Sequence, residues 1–345
     1  MTINKTVDWW PPKVSINGNY FVYRPIRNGK RYKLCPADGS RRDVLLAYDR
    51  ILSELEGSFN VRSLVEEFCA TEEFKALSSR TQLDYGYYKS EVVLAFGKMS
   101  PDAIQTHHIV QWRNLLVKKR DSVVQGNRHV SFIGTVLRYA REQGYLTGTP
   151  SQGIKKLKER KRTRYVTHHE YATIYKHAMP QLQVAMELSY LCMARITDVI
   201  NLKRSQLSPE GITIVQSKTG KAQLKQWSPR LQQAVNQALK LPIKENRVSI
   251  FLIHKVNGSN YQVRGIQRQF EQAKEHSVNE CNFDSVSQMD IHFHDLKAKS
   301  ISDQEGSLEE KKLIAGHTNV RQTMDYDRKL QQVPATFGDL APLPK

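Results

Sequence analysis

Six residues in the second half of the chain have types and spacings that suit chemistry on a phosphate ester. Arg195 stands in Ala194-Arg195-Ile196-Thr197-Asp198, and Lys218 follows 23 residues later in Ser217-Lys218-Thr219-Gly220-Lys221. His294-Asp295-Leu296-Lys297 sets an imidazole and an ammonium three residues apart, on one side of any helix that carries them. His317 comes 23 residues after His294, in Ala315-Gly316-His317, and Tyr326 nine residues after that. Guanidinium, ammonium and imidazole groups stabilise charge developing on a phosphate, and a phenol can serve as a covalent nucleophile. Taken singly, each has a blander reading. Arg195 can pair with Asp198, Lys218 can be solvated on a turn, the histidines can be satisfied locally, and Tyr326 can pack in a core. Their number and order argue for chemistry.

The elements that must position these groups fall into three regions, as expected for 345 residues. Residues 1–57 carry Tyr20-Phe21-Val22-Tyr23-Arg24, a tight-turn signal at Asn28-Gly29, and a basic strand over Lys30 to Leu34. Apolar spacing predicts a helix over Ser40–Leu55 with Ser40 as its cap. A basic sheet bearing Arg24, Arg27, Lys30, Arg31 and Lys33 suits a DNA groove, although charged edges also simply keep a sheet soluble. Residues 61–157 read as wholly helical, with segments Ser63–Ser78, Ser79–Phe96, Pro101–Lys119 and Ser122–Glu142. A basic run follows, with Lys155, Lys156, Lys158, Arg160, Lys161, Arg162 and Arg164 in ten residues; we read it as a strap along DNA. Residues 165–345 hold helices broken at Pro180, an apolar helix over Gln181–Ala194, a strand at Gly211–Val215 and a hairpin tip around Lys218. Further helices are expected around Leu231–Leu239, Tyr261–His276, Ile291–Asp303 and Leu308–Arg328.

Composition narrows the partners. Lysine plus arginine number 52 against 34 aspartate plus glutamate, a formal net charge of +18, which favours a polyanion through counterion release. No apolar run approaches a membrane span, and Met1–Pro12 has no signal-peptide core, so neither membrane nor export is expected. The four cysteines are far apart, which suits a reducing compartment. The histidine pairs lack partner ligands, so no metal is expected. Ser217–Lys221 lacks the phosphate-cradling loop pattern, so no nucleotide or other cofactor is expected either.

The ordered set Arg195, Lys218, His294-x-x-Lys297, Gly316-His317 and Tyr326 resembles the tyrosine recombinase (phage integrase) family. Pro11–Ile16, Gly18–Arg24 and Asn28–Lys30 look like the arm-binding domain of its lambda type. The resemblance implies a multidomain, mainly α protein with small β-sheets. Its parts would be an N-terminal three-stranded sheet plus helix (1–57), a helical, SAM-like core-binding domain (61–157) and an α+β tyrosine-recombinase catalytic domain with a C-terminal tail (165–345). Tyr326 would attack the scissile phosphate and form a 3′-phosphotyrosyl link. Arg195, Lys297, His294 and His317 would stabilise the pentacoordinate phosphate, Lys218 would protonate the 5′ oxygen, and His294 would take the phenol proton. Asp198 would support Arg195 or its helix. The chain departs from the family at Lys297, where arginine is usual: the charge is kept and the two-pronged grip is lost.

The same resemblance implies double-stranded DNA with attachment sites as substrate and a homotetramer on DNA, with two domains closing as a clamp and the tail docking on a neighbour. It also implies DNA-bending and excisionase-type partner proteins, and a cytoplasmic, nucleoid-associated place in a bacterial host. The rival readings are a chromosome-dimer resolvase of the same family, a non-catalytic DNA-binding regulator and a type IB topoisomerase.

Overall fold

A computed structural model describes residues 9–25 and 31–330. The Asn28-Gly29 turn, Arg27, Lys30 and the tail from residue 331 lie outside the described residues. Backbone contacts divide the chain into two compact units, Met1–Arg160 and Lys161–Lys345.

The first unit opens on an antiparallel sheet of β1 (Val14–Asn17), β2 (Tyr20–Tyr23) and β3 (Tyr32–Pro36), backed by α1 (Arg41–Ser58). Val14, Phe21 and Tyr23 pack on Val44 of α1. Ser40 starts that helix as expected: its Oγ accepts from Asp43 N at 3.3 Å, and Asp43 Oδ2 accepts from Ser40 N at 3.0 Å. A helical bundle follows, made of α2 (Val61–Ala70), α3 (Glu72–Lys75), α4 (Ser79–Phe96), α5 (Thr106–Arg120) and α6 (Val123–Glu142). Leu64, Val65, Val92, Ile109, Ile133, Val136 and Leu137 are fully buried in its core.

Two helix boundaries differ from the spacing. Ser63–Ser78 is not one helix: Thr71 is extended, and its Oγ1 accepts from Phe74 N at 3.2 Å, so one helix stops and α3 starts there. The segment from Pro101 makes only a single turn, and α5 begins at Thr106 after an extended Ile104-Gln105.

The second unit comprises α7 (His168–His177), α8 (Pro180–Leu191), α9 (Ile196–Ile200), β4 (Leu207–Ser208), β5 (Gly211–Val215), β6 (Ala222–Gln226), α10 (Pro229–Leu239), α11 (Val263–Ser277), α12 (Asp295–Asp303), α13 (Leu308–Ala315) and α14 (Val320–Tyr326). Strands β4, β5 and β6 form a second antiparallel sheet. Pro180 occupies the first turn of α8, where its missing N–H costs nothing. Helix α8 is central, with Val184, Ala185, Met186 and Leu188 fully buried, and it packs against α7, α9, α10, α11 and α12. It ends at Leu191 instead of Ala194 because Met193 turns left-handed, at φ 51°. Ser189 fastens that turn, its Oγ donating to Ala194 O at 2.9 Å. Among the described residues no helix is long and apolar enough to cross a membrane.

Candidate active site

The Met193 turn sets Arg195 at the start of α9, and the β5–β6 hairpin meets it there. Arg195 Nη1 donates to Gln216 Oε1 at 3.3 Å. Buried Gln216 also donates from Nε2 to Ala315 O at 3.1 Å and lies 3.4 Å from Gly316 O, so one amide joins Arg195, the hairpin and the end of α13. The neighbouring strand completes the junction: Gln223 Nε2 donates to Leu313 O and Lys225 Nζ to Ile314 O, which satisfies carbonyls at a helix end and places a cation on its negative pole. Asp198 is buried, and its Oδ1 accepts from Ser217 N at 2.9 Å and Ser217 Oγ at 2.6 Å. Its hydrogen bonds therefore brace the hairpin beside Lys218 and not Arg195. Lys218 itself is exposed at the hairpin tip, with no hydrogen bond or ion pair among the described residues.

Helix α12 supplies the next two groups. His294 stands at its start, and its Nε2 lies 2.8 Å from the Tyr326 hydroxyl. Surrounding protein desolvates the ring and, with Lys297, Arg195 and Arg328, holds its pKa below the usual imidazole value, against an opposing pull from Asp295. Lys297, one turn on, is 1% exposed and forms no hydrogen bond or ion pair among the described residues. Its Nζ sits 5.8 Å from the centre of the Tyr326 ring. Burial, helped by Arg195, pushes its pKa down to about 7. A buried ammonium beside a guanidinium, with no carboxylate paired to it, is an anion site by its own electrostatics.

The α13–α14 turn carries the last two groups. Gly316 ends α13 in the left-handed region, at φ 68°. A Cβ there would fall 2.3 Å from Gln216 Nε2 and displace that amide, so both the backbone and the contact favour glycine before His317. His317 is buried; its Nδ1 lies 3.1 Å from Thr323 Oγ1, while its Nε2 is buried with no partner among the described residues. With the threonine hydroxyl donating to Nδ1, the tautomer leaves an Nε2–H ready for an anionic oxygen. Desolvation, Lys297 and Arg195 lower its pKa to about 4, so the ring is a neutral donor. Tyr326 ends α14 with its ring centre 5.3 Å from that of His317 and 5.6 Å from that of His294. Burial raises the phenol pKa, and Arg195 and Arg328 oppose the rise.

Arg195, His294, Lys297, His317 and Tyr326 are thus brought together, and Lys218 stands on the hairpin that Asp198 and Gln216 hold to them. Of the expected DNA-facing residues in the first unit, Arg31 and Lys33 are exposed and Arg24 is half-buried. Lys155, Lys156, Lys158 and Arg160 are exposed on an extended segment that Asn127 grips at Leu157 N and O, at 3.0 and 2.9 Å. The rest of the basic run is also engaged within the protein. Arg162 pairs with Asp295 at 2.8 Å and Asp290 at 3.1 Å, Arg164 with Glu170, and Lys161 with Asp325 at 2.5 Å. Buried Asp295 and Glu170 require counter-charges, and these side chains supply them. Gln216, Lys225, Thr323 and Arg328 are site residues that spacing did not reveal, because each acts through contacts with distant segments.

Comparison with known proteins gives the following. Residues 164–332 match the Phage integrase family. The integrase of Escherichia phage HK022 is 25% identical over 234 residues, covering 61% of this chain and 63% of its own length, so the match spans less than two thirds of that relative. A crystal structure of a lambda integrase dimer bound to a COC′ core site is 18% identical, covers 97% of this chain and 100% of its own, and superposes with a TM-score of 0.66. For a lambda integrase tetramer bound to a Holliday junction the values are 18%, 94%, 98% and 0.64. For the Tn1549 transposon integrase in complex with circular intermediate DNA they are 14%, 81%, 97% and 0.62. At these identities the likeness to the solved structures is one of fold.

Proposed function

We propose that this chain, which matches the phage integrase family over residues 164–332, is a site-specific tyrosine recombinase that cuts and rejoins DNA strands through Tyr326 to integrate and excise a mobile element. The observation that carries this reading is the 2.8 Å contact of the Tyr326 hydroxyl with His294, inside a ring formed by Arg195, Lys297 and His317.

The residues imply a balanced transesterification. The Tyr326 oxygen forms a bond to phosphorus as the bond to the 5′ oxygen breaks, and the phenol proton passes to His294 Nε2. Arg195, Lys297 and the His317 Nε2–H stabilise the non-bridging oxygens of the pentacoordinate phosphate. Lys218, on its exposed tip, protonates the departing 5′ oxygen. A 5′ hydroxyl from another strand then attacks the phosphotyrosine and returns each proton, so no metal, nucleotide or water enters the balance.

Around this centre we read residues 1–57 as an arm-type DNA-binding domain, 61–157 as the core-binding domain and 165–345 as the catalytic domain. The working form is a homotetramer on two attachment sites, assisted by DNA-bending and excisionase-type proteins and acting on the bacterial nucleoid. The exposed cations Arg31, Lys33, Lys155, Lys156, Lys158 and Arg160 support the DNA contacts.

The test is a nicked suicide duplex carrying the attachment site that flanks the gene. A covalent adduct that maps to Tyr326 and is absent from Tyr326→Phe is expected. A duplex bound without any adduct would make the chain a regulator with a recombinase fold.

A further inference from the structure

The residue after His294 does something the reaction scheme leaves unused. Asp295 is 1% exposed, and its two arginine partners lie in segments far away in sequence. Its Oδ2 accepts from Arg162 Nη2 at 2.8 Å and from the His292 backbone at 2.8 Å, and its Oδ1 accepts from Arg162 Nε at 3.2 Å and Arg328 Nη1 at 2.6 Å. Arg162 belongs to the segment that enters the catalytic unit, and Arg328 lies two residues beyond Tyr326. A second fastening runs alongside. Ser302, at the other end of α12, donates from Oγ to Tyr326 O at 3.2 Å and accepts from Arg328 N at 2.7 Å. Two further pairs close the frame: Lys161 with Asp325 at 2.5 Å and Lys311 with Asp327 at 2.7 Å. Every residue from Asp325 to Arg328 is therefore tied to a neighbouring element; Asp325 reaches Lys161 directly, and Arg328 shares the Asp295 carboxylate with Arg162.

We propose that Asp295 is a positioning residue that clasps Arg328 of the nucleophile segment to Arg162, so that the entering segment sets where Tyr326 stands. The inference rests on Tyr326 being the nucleophile. Its physical basis is the two-pronged arginine–carboxylate grip, which fixes orientation as well as distance. Asp295 is held from both sides, and its neighbour His294 touches the Tyr326 hydroxyl, so a shift of the Arg162 segment moves the base and the phenol-bearing turn relative to each other. Misplacement of reacting groups by about 1 Å costs on the order of 10²-fold in rate.

The experiment uses the full chain and the same nicked suicide duplex, comparing wild type, Arg162→Ala, Arg162→Lys and Tyr326→Phe. Two readings are taken: duplex affinity, and the single-turnover rate of adduct formation at saturating DNA. Arg162→Ala is expected to bind as wild type does and to cleave about 10²-fold more slowly. Arg162→Lys, which keeps the charge without the fork, should fall between the two. The proposal is overturned if Arg162→Ala cleaves at the wild-type rate once DNA is saturating, whether or not affinity has dropped; a drop in affinity alone would make Arg162 a DNA contact. If Arg162→Ala does not fold, Arg162→Lys decides: a slower saturated rate at unchanged affinity supports the clasp, and an equal rate overturns it. An adduct that persists in Tyr326→Phe would instead sink the nucleophile assignment, so the two failures are distinct.

Discussion

The Nε2 of His294 and the hydroxyl of Tyr326 stand 2.8 Å apart, although 32 residues of chain separate them. The distance suits a proton transfer, and the electrostatics give its direction. Desolvation lowers the His294 pKa, so the ring is uncharged at neutral pH and has a lone pair to offer, while burial raises the Tyr326 pKa, so the phenol keeps its proton until a base takes it. His294→Ala should therefore slow single-turnover cleavage by about 10²–10⁴-fold and leave duplex affinity as it was. Cleavage at the wild-type rate in that variant would remove His294 from proton transfer.

Lys297 invites the most direct substitution. Its ammonium is buried beside Arg195 with no ion pair among the described residues, although Asp198 opposes the fall in its pKa. Lys297→Ala should lose about 10²–10³-fold in adduct formation, the usual cost of one preorganised donor. Lys297→Arg keeps the charge and should retain cleavage. An unimpaired Lys297→Ala enzyme would show that this side chain has left the site.

The pH profile follows from the same two residues with opposite requirements. His294 must be neutral to accept the phenol proton, so the acid limb should lie below pH about 6.5, the unperturbed imidazole value. Lys297 must be charged to stabilise phosphate, and its pKa in the DNA-free protein is pushed down to about 7. Cleavage at sub-saturating DNA, which reports the free enzyme, should thus decline as pH rises through about 7. At saturating DNA the phosphate charge favours the ammonium, and the decline should move to higher pH. Lys297→Arg, which stays protonated throughout, should abolish the alkaline limb; a limb unchanged in that variant would assign it to another group.

The candidate site was legible in the sequence because its parts are rare in combination: Arg195, Lys218, His294, Lys297, His317 and Tyr326 keep their order whatever the intervening loops do. Strands β2, β3 and β5 and most helices were legible from periodicity, composition and caps, as at Ser40 and Pro180, whereas β1, β4 and β6 were not. Breaks set by a single residue were not. Thr71 ends a helix through its side chain, and Met193 does so by adopting a conformation that nothing in its type announces. Partners distant in sequence were also hidden. Gln216 reaches Ala315 across 99 residues and Arg162 reaches Asp295 across 133, so a guanidinium that looks solvated in a basic run is in fact an internal counter-charge.

Gly316 is where backbone geometry and chemistry meet, and it separates two explanations of the Gly-His pair. At φ 68°, alanine would be strained by about 1–3 kcal/mol, and its Cβ would lie 2.3 Å from Gln216 Nε2 and 2.7 Å from Gln223 Oε1. Both amides are the ends of flexible side chains, but moving them breaks their bonds to Ala315 and Leu313, and it withdraws from Arg195 the oxygen that holds it. Gly316→Ala should therefore unfold at lower urea and cleave more slowly. Gly316→Asn discriminates between the two causes, since asparagine tolerates the left-handed region yet still carries a Cβ. If the amide junction matters to Arg195, the asparagine variant recovers part of the stability while its saturated cleavage rate stays low. Recovery of both together would reduce Gly316 to a matter of backbone strain.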